Sequence, residues 1–313
     1  MSAPETPSQP PPESVIGQLL GGRYRLQAHI GSGGLGDVYR AWDIKLDRAV
    51  ALKRVRVQGE GAQSERALLE QTWREVMTTV SLRHPNIVTI LDYGIGAEGA
   101  YVVMELVEGE TLEEVLARGP LQFFDFHRFA QQSLQAIVAA HAAGLIHRDL
   151  KPGNFMITRP VTSNLFNVKI LDFGLAKYLD TPKPQSMDHL NSLMGSVHYM
   201  APEQFQRMPL DQRTDLYSLG CIFYEAVTGH PAFDGANVSE LIEAHLKHEP
   251  FSMKYLRQDL SLELERWIDR LLEKDPSHRT ASAAAALASL PSLPACSHDK
   301  RRSTHRLFAK FKR

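Results

Sequence analysis

Residues 144–157, GLIHRDLKPGNFMI, set His147, Arg148, Asp149, Lys151 and Asn154 between two apolar pieces, Leu145-Ile146 and Phe155-Met156-Ile157. Apolar flanks anchor a segment in a core, and burying charge without partners is costly. Pro152-Gly153 prevents a continuous helix. A core-anchored loop this dense in charge either pairs its charges internally or presents them to a ligand.

A second group lies near the start, in IGSGGLGDVY, residues 30–39. Gly31, Gly33 and Gly36 are spaced G-x-G-x-x-G, with Ile30, Ser32, Gly34, Leu35 and Val38 around them. Glycine lets backbone approach a phosphate closely and adopt dihedrals closed to other residues. The same spacing marks dinucleotide-binding turns and ordinary Gly-rich hairpins. A dinucleotide turn opens a helix, whereas DVYRAWDI alternates as a strand, so a strand–turn–strand flap over phosphates fits better. In the strand AVALK, Lys53 falls on the same face as Ala51, beneath the flap. A buried lysine needs an anionic partner, and Glu75 in the following segment is the candidate.

The elements that must position these groups fall into two blocks. From Tyr24 the chain reads as five short strands: YRLQAHI, DVYRAWDI, RAVALKRV, NIVTILDYG and AYVVMELV. One amphipathic stretch, ERALLEQTWREVMTTVSL, stands between the third and fourth, with a stripe of Leu69, Trp73, Val76 and Val80. After Glu108-Gly109 the pattern turns helical: TLEEVLA, FDFHRFAQQSLQAIVAAHAAG, QRTDLYSLGCIFYEAVTG, NVSELIEAHLK, SLELERWIDRLLEK and TASAAAALASL, interrupted by the β-type runs NFMI and NVKILD. Strands first and helices after predict an α+β chain in two lobes, a small five-strand lobe with one helix and a larger helical one, with a cleft between them.

The charged loop now resembles the catalytic loop of the eukaryotic-type (Hanks-type) Ser/Thr protein kinases. HRDLKPGN carries H-R-D-x-x-x-x-N, followed by Asp172-Phe173-Gly174 and by Ala201-Pro202-Glu203. YMAPEQ, DLYSLGCIFYEAVTGHPAF and DPSHRT look most like the bacterial branch. The resemblance implies a two-lobed kinase fold over residues 23–290, with an N-lobe at 23–105, a hinge at 105–109 and a C-lobe at 110–290.

It also implies roles. Asp149 would orient the substrate hydroxyl and accept its proton, and Lys151 would neutralise the transferring phosphoryl group. Asn154 and Asp172 would ligate Mg²⁺, with Mn²⁺ as a substitute, and Lys53, oriented by Glu75, would hold the phosphates of ATP. Met104 falls at the gatekeeper position. Glu105 and Val107 would present backbone groups to adenine, Glu110 would approach the ribose, and Val38, Ala51 and Met156 would sandwich the base. Arg148 would bind a phosphate on the activation loop, with Ser192 the main site and Ser186 and Thr181 lesser ones. His147 and Phe173 would be structural, Ser196 would bond Asp149 or Lys151, Asp215 would hold the catalytic loop from below, and Glu203 and Arg279 would form an anchoring ion pair.

The resulting expectation is an ATP-dependent kinase acting on Ser/Thr hydroxyls of proteins, autophosphorylating on its loop through a transient homodimer. A non-catalytic pseudokinase is disfavoured by the intact set Lys53, Glu75, Asp149, Asn154 and Asp172, and a small-molecule phosphotransferase by the Ala-Pro-Glu segment.

Composition is compatible. With 313 residues, 43% hydrophobic and 23% charged, the chain can bury a sizeable core. A net charge of −1 gives no overall field for nucleic acid. The two cysteines, Cys221 in an apolar run and Cys296 in a polar tail, provide no disulfide framework, and no apolar run reaches spanning length, so a cytoplasmic protein is expected. Residues 1–22, with Pro4, Pro7 and Pro10 at PxxP spacing, are expected to be a disordered leader. Residues 291–313 form a basic tail. Its last 16 positions hold seven Lys/Arg against one Asp, with Leu307, Phe308 and Phe311 between them, a pattern suited to an anionic membrane or a partner.

Overall fold

The computed structural model of the chain describes residues 12–33, 36–55, 82–96, 99–159, 165–172 and 194–292. Alternating apolar residues in the first block build one antiparallel sheet from β1 (Leu19–Leu20), β2 (Tyr24–Gly33), β3 (Gly36–Asp43), β4 (Arg48–Val55), β5 (Ile90–Gly96) and β6 (Gly99–Glu105), in the order β1-β2-β3-β4-β6-β5. Both faces are covered. In β4, Val50 and Leu52 pack with Tyr24, Tyr39, Tyr101 and Val103 on one side, while Ala51 packs with Val88, Val102 and Met104 on the other. Burial on both faces accounts for the unbroken run Val50-Ala51-Leu52-Lys53, all below 9% exposed.

Two expectations change here. The sheet has six strands, because Leu19–Leu20 pairs with Arg25 and Tyr24 at the edge. Residues 12–22, expected to belong to a disordered leader, are built into the fold. Pro12–Val15 forms a 3₁₀ turn, and Val15 and Leu20 are each 1% exposed in the core shared with Tyr24 and Leu26. Gly17 N–H to Leu26 O (2.8 Å) and Leu26 N–H to Gln18 O (2.9 Å) tie the segment down. Two apolar side chains within a proline-rich composition are enough to order it. The amphipathic stretch carrying Glu75 lies outside the described residues.

The second block contains a three-stranded sheet, β7 (Glu110–Thr111), β8 (Phe155–Thr158) and β9 (Asn167–Ile170), and the helices α1 (Leu112–Leu116), α2 (Phe123–Ala142), α3 (Met194–Val197), α4 (Pro202–Phe205), α5 (Gln212–Thr228), α6 (Val238–Lys247), α7 (Met253–Leu256), α8 (Leu262–Asp269) and α9 (Ala283–Ala288). Helix α5 is the axis: Asp211 caps its start through Arg213 N–H (2.7 Å), Gly229 ends it at φ +77°, and nearly every residue between is buried. Phe126 and Phe129 of α2 meet Phe223 of α5 edge-on at 5.7 and 5.9 Å. A helix extending through SLELERWIDRLLEK was expected, but α8 stops at Asp269. There Leu271 and Leu272 bond back three residues, to Ile268 and Asp269, and pack where Gly220 leaves no room for a Cβ. The two sheets are joined where Val88 N–H donates to Ile170 O and Ile170 N–H to Asn86 O, both at 2.9 Å.

Candidate active site

The charged loop runs from the end of α2 to β8, and a single carboxylate shapes it. Asp215, in the first turn of α5 and fully buried, accepts from His147 N–H (2.9 Å) and Arg148 N–H (2.8 Å), with His141 Nε2 also at 2.9 Å. This grip holds Arg148 at φ +67°, a left-handed conformation that non-glycine residues seldom adopt. Gln204 Nε2 donates to the Arg148 carbonyl (2.9 Å) and closes the turn from α4. His147 is 0% exposed and uses both ring nitrogens. Nδ1 accepts from Asp149 N–H (3.3 Å), so the ring proton on Nε2 donates to Leu171 O (2.9 Å). No nitrogen is left to serve as a base.

With the backbone fixed, the remaining charges converge. Lys151 Nζ donates to Asp149 Oδ2 (3.1 Å) and to Ser196 Oγ (2.8 Å), both side chains of the ion pair being about one-third exposed. Asn154 donates its amide to the Asp149 carbonyl (2.7 Å), which turns its side-chain oxygen the other way, and its own carbonyl accepts from Leu171 N–H (2.8 Å). Next along the chain, Asp172 sits at φ +57° and receives Lys53 Nζ at 2.7 Å. Lys53 is 4% exposed and lies on the Ala51 face of β4, the face its alternation assigned.

Above this line, β2 and β3 close as a hairpin in which Gly33 pairs with Gly36. Gly36, at φ +147°, has no space for a Cβ because Arg54 O would lie 1.8 Å from it. Ser32 Oγ donates to Asp37 (2.7 Å), Gly31 faces open space, Ile30 is exposed, and Gly34 and Leu35 lie outside the described residues. Ala51 and Met104 share an apolar cluster against which Val38, Leu106, Val107 and Leu171 pack. Met156 is half-buried on β8. At the hinge, Glu105 N–H is committed to Thr89 O (3.0 Å), and its carboxylate takes Lys169 (2.7 Å) and Thr89 N–H (2.8 Å). Burial works to raise that carboxyl, but Lys169 and Thr89 bring it below the usual range. Glu110, expected near the ribose, forms an exposed fork with Arg118 at 2.8 and 3.1 Å.

Beneath the loop, Glu203 and Arg279 pair through 2.7 and 2.8 Å bonds at 3% and 0% side-chain exposure. Cys221 is buried, and burial pushes its thiol well above the ordinary range. Glu75, Phe173, Thr181, Ser186, Ser192 and residues 293–313 of the basic tail lie outside the described residues. Sequence reasoning missed Gln204 and Leu171. Gln204 follows Ala-Pro-Glu directly, and Leu171 precedes Asp172, so each had a motif beside it as a signal.

Chemically, the site offers one carboxylate beside an ammonium, a second carboxylate beside another ammonium, and an apolar slot under a glycine flap. Among the described residues no three His, Cys, Asp or Glu side chains gather to enclose a metal. Asn154 and Asp172 supply two hard oxygens, which fits a divalent cation that takes its other ligands from phosphate and water.

Comparison with known proteins agrees with this geometry. Residues 24–289 match the family described as protein kinase domain. The chain is 37% identical over 270 residues to serine/threonine-protein kinase PrkC of Bacillus subtilis, covering 86% of this chain and 40% of that protein. It is 37% identical over 286 residues to serine/threonine-protein kinase pkn3 of Myxococcus xanthus, covering 90% and 52%. To serine/threonine-protein kinase PknA of Mycobacterium tuberculosis it is 40% identical over 274 residues, covering 85% and 60%. The chain thus spans roughly half the length of these relatives. A strand lobe under a glycine flap, a helical lobe around α5 and a paired Asp149–Lys151 loop between them place this chain in the protein kinase family.

Proposed function

We propose that this chain transfers the γ-phosphate of ATP to serine and threonine hydroxyls of protein substrates. Protein kinases use ATP and a divalent cation; here Mg²⁺ is the fitting ion, with Mn²⁺ as a substitute, held by Asn154 and Asp172. When bound, the cation screens the phosphate charge. The observation that carries the reading is the partly exposed Asp149, held against Lys151, which is steadied in turn by Ser196. A substrate hydroxyl meeting Asp149 passes its proton to the carboxylate as its oxygen attacks the terminal phosphorus, while the bond from that phosphorus to the β–γ bridging oxygen breaks and ADP leaves with the electron pair. Lys151 offsets charge on the phosphoryl oxygens, and Lys53 holds the phosphate chain behind. Ser196 holds the Lys151 ammonium beside Asp149.

The same proposal includes autophosphorylation on the loop, with Ser192 as the main site and Ser186 and Thr181 as lesser ones. Arg148 supports it: its Nε is buried and, among the described residues, has no partner, which suits an incoming phosphate. A transient homodimer for that step, and contact of the basic tail with an anionic membrane or partner, belong to it as well. No helix among the described residues is long and apolar enough to cross a membrane.

Transfer of labelled γ-phosphate to the chain itself and to a generic basic protein, with Asp149→Asn alongside, is the test. Removing the base while keeping its shape is expected to lower kcat by about 10²–10⁴-fold. Undiminished turnover by Asp149→Asn would refute the mechanism.

A further inference from the structure

On the outer side of the hinge, away from the glycine flap, lies a polar cleft of about 410 Å³ that phosphoryl transfer does not use. Its size falls within the ~300–1,000 Å³ of ordinary ligand clefts. One wall is a stripe of α2, with Arg128, Gln131, Gln132 and Gln135 at helical spacing i, i+3, i+4 and i+7. The facing wall is the β8–β9 hairpin, where Asn167 and Lys169 share a side, and Asn86 closes the end. None of the lining residues carries a carboxylate.

The walls are braced before any ligand arrives. Gln132, 9% exposed, accepts from Asn86 Nδ2 (2.7 Å) and from Val168 N–H (2.9 Å), tying helix, loop and hairpin together. Arg128 donates from Nε to Phe166 O (2.6 Å) and from Nη2 to Asn167 (3.2 Å), which fixes the guanidinium and leaves Nη1 for a guest. Arg159, exposed beside Thr158 of the lining, lies 5.9 Å from the Phe166 ring centroid, as does Arg128, so two cations flank one aromatic ring. Lys169 contributes less, because Glu105 already matches its charge at 2.7 Å. Among the lining residues the unmatched charge is therefore that of Arg128, and Arg159, next to Thr158, adds a second cation at the edge of the cleft.

We propose that this cleft is a docking site for an acidic segment of another polypeptide, bound in extended form. Charge complementarity selects the sign, and shape selects a strand over a compact anion. Arg128, Gln131 and Gln135 of α2, the donors that Gln132 leaves to a guest, stretch over about 10 Å at a rise of ~1.5 Å per residue. An extended chain rises ~3.3 Å per residue, so about three of its residues lie along that line. The side-chain amides suit its backbone groups, and the guanidinium forks suit its carboxylates. The proposal does not depend on the chemistry assigned to the catalytic loop, and its test reads binding alone.

Fluorescein-labelled hexaglutamate titrated with the full chain at low salt, and followed by anisotropy, tests it against hexaglutamine. Saturable binding of hexaglutamate, with hexaglutamine weaker by at least about tenfold, is expected, and Arg159→Glu should lose a comparable factor. Arg128→Gln should weaken binding as well. Because Arg128 also braces Phe166, Arg159→Glu decides alone if that variant does not fold. Binding unchanged in Arg159→Glu would place the peptide elsewhere, for example on the basic tail, and overturn the assignment. So would absence of binding. Displacement by inorganic tripolyphosphate at lower concentration than by unlabelled hexaglutamate would assign the site to phosphate and reject the peptide.

Discussion

Two ion pairs in this molecule look alike in sequence and differ in kind. The Arg279–Glu203 pair is a closed inventory. All five guanidinium N–H groups are used, on both Glu203 oxygens and on the carbonyls of Glu273, Arg213 and Lys274, and Thr214 donates to the same carboxylate. Nothing remains for a ligand to meet. The Lys53–Asp172 pair is open. Lys53 is 5% exposed at its side chain, but Asp172 is 26% exposed, with Asn154 beside it across the Leu171 bond. A pair that satisfies itself completely holds structure, whereas one that leaves oxygen atoms facing a cleft is positioned for chemistry.

The largest effect expected on this contrast comes from Arg279→Met. Removing one partner strands Glu203 in the core and should cost about 3–5 kcal/mol in urea unfolding. The double variant Arg279→Met with Glu203→Gln should recover much of that loss; no recovery would mean that the carbonyl contacts of Arg279 carry the stability instead. Lys53→Met should invert the pattern. Asp172 keeps access to water, so the urea midpoint should move little, while phosphoryl transfer falls by about 10²–10³-fold, the scale of losing one fixed electrostatic contact. Equal destabilisation by both variants would erase the distinction.

Local spacing explains why so much of the open site was legible. Asp149, Lys151 and Asn154 must lie within one loop, and Ala51 and Lys53 must alternate on one strand, so their chemistry leaves a short-range pattern. The contacts of Gln204 with the Arg148 carbonyl, across 56 residues, and of Asp215 with His141, across 74, leave no such spacing; Asp215 was reached through the resemblance alone, and Gln204 had only Ala-Pro-Glu beside it as a pointer. The cleft beside α2 stayed hidden for the same reason: Arg128 and Arg159, 31 positions apart, are brought together only by their shared approach to Phe166. Strand β1 was obscured by composition, since the prolines before it conceal the pull of Val15 and Leu20 on the sheet. The end of α8 was misread because Leu271 and Leu272 continue the apolar pattern after the hydrogen bonding has changed.

A third region, neither closed nor open, sharpens the comparison through pH. His245 on α6 is 0% exposed, ringed by Phe205, Tyr217 and Phe233 at 5.6, 5.8 and 4.7 Å, with its Nδ1 2.9 Å from the Tyr217 hydroxyl. Its Nε2 has no partner among the described residues. Burial, then the charges of Lys274 and His198, push the imidazole down to about 3. The folded state therefore holds it neutral, while the unfolded chain takes up a proton below its ordinary value of about 6.5. Stability is full above that value and is lost as pH falls from it toward 3, by at most ~1.4 kcal/mol per pH unit. Lys274, lowered to about 8 by burial and set over the Phe233 ring at 3.8 Å, is protonated in both states below pH 7 and adds no slope there. Urea midpoints at pH 7, 6 and 5 should therefore fall for the natural chain and flatten for His245→Gln, whose amide can still meet Tyr217 but cannot titrate. Parallel slopes for the two proteins would assign the acid sensitivity to other groups.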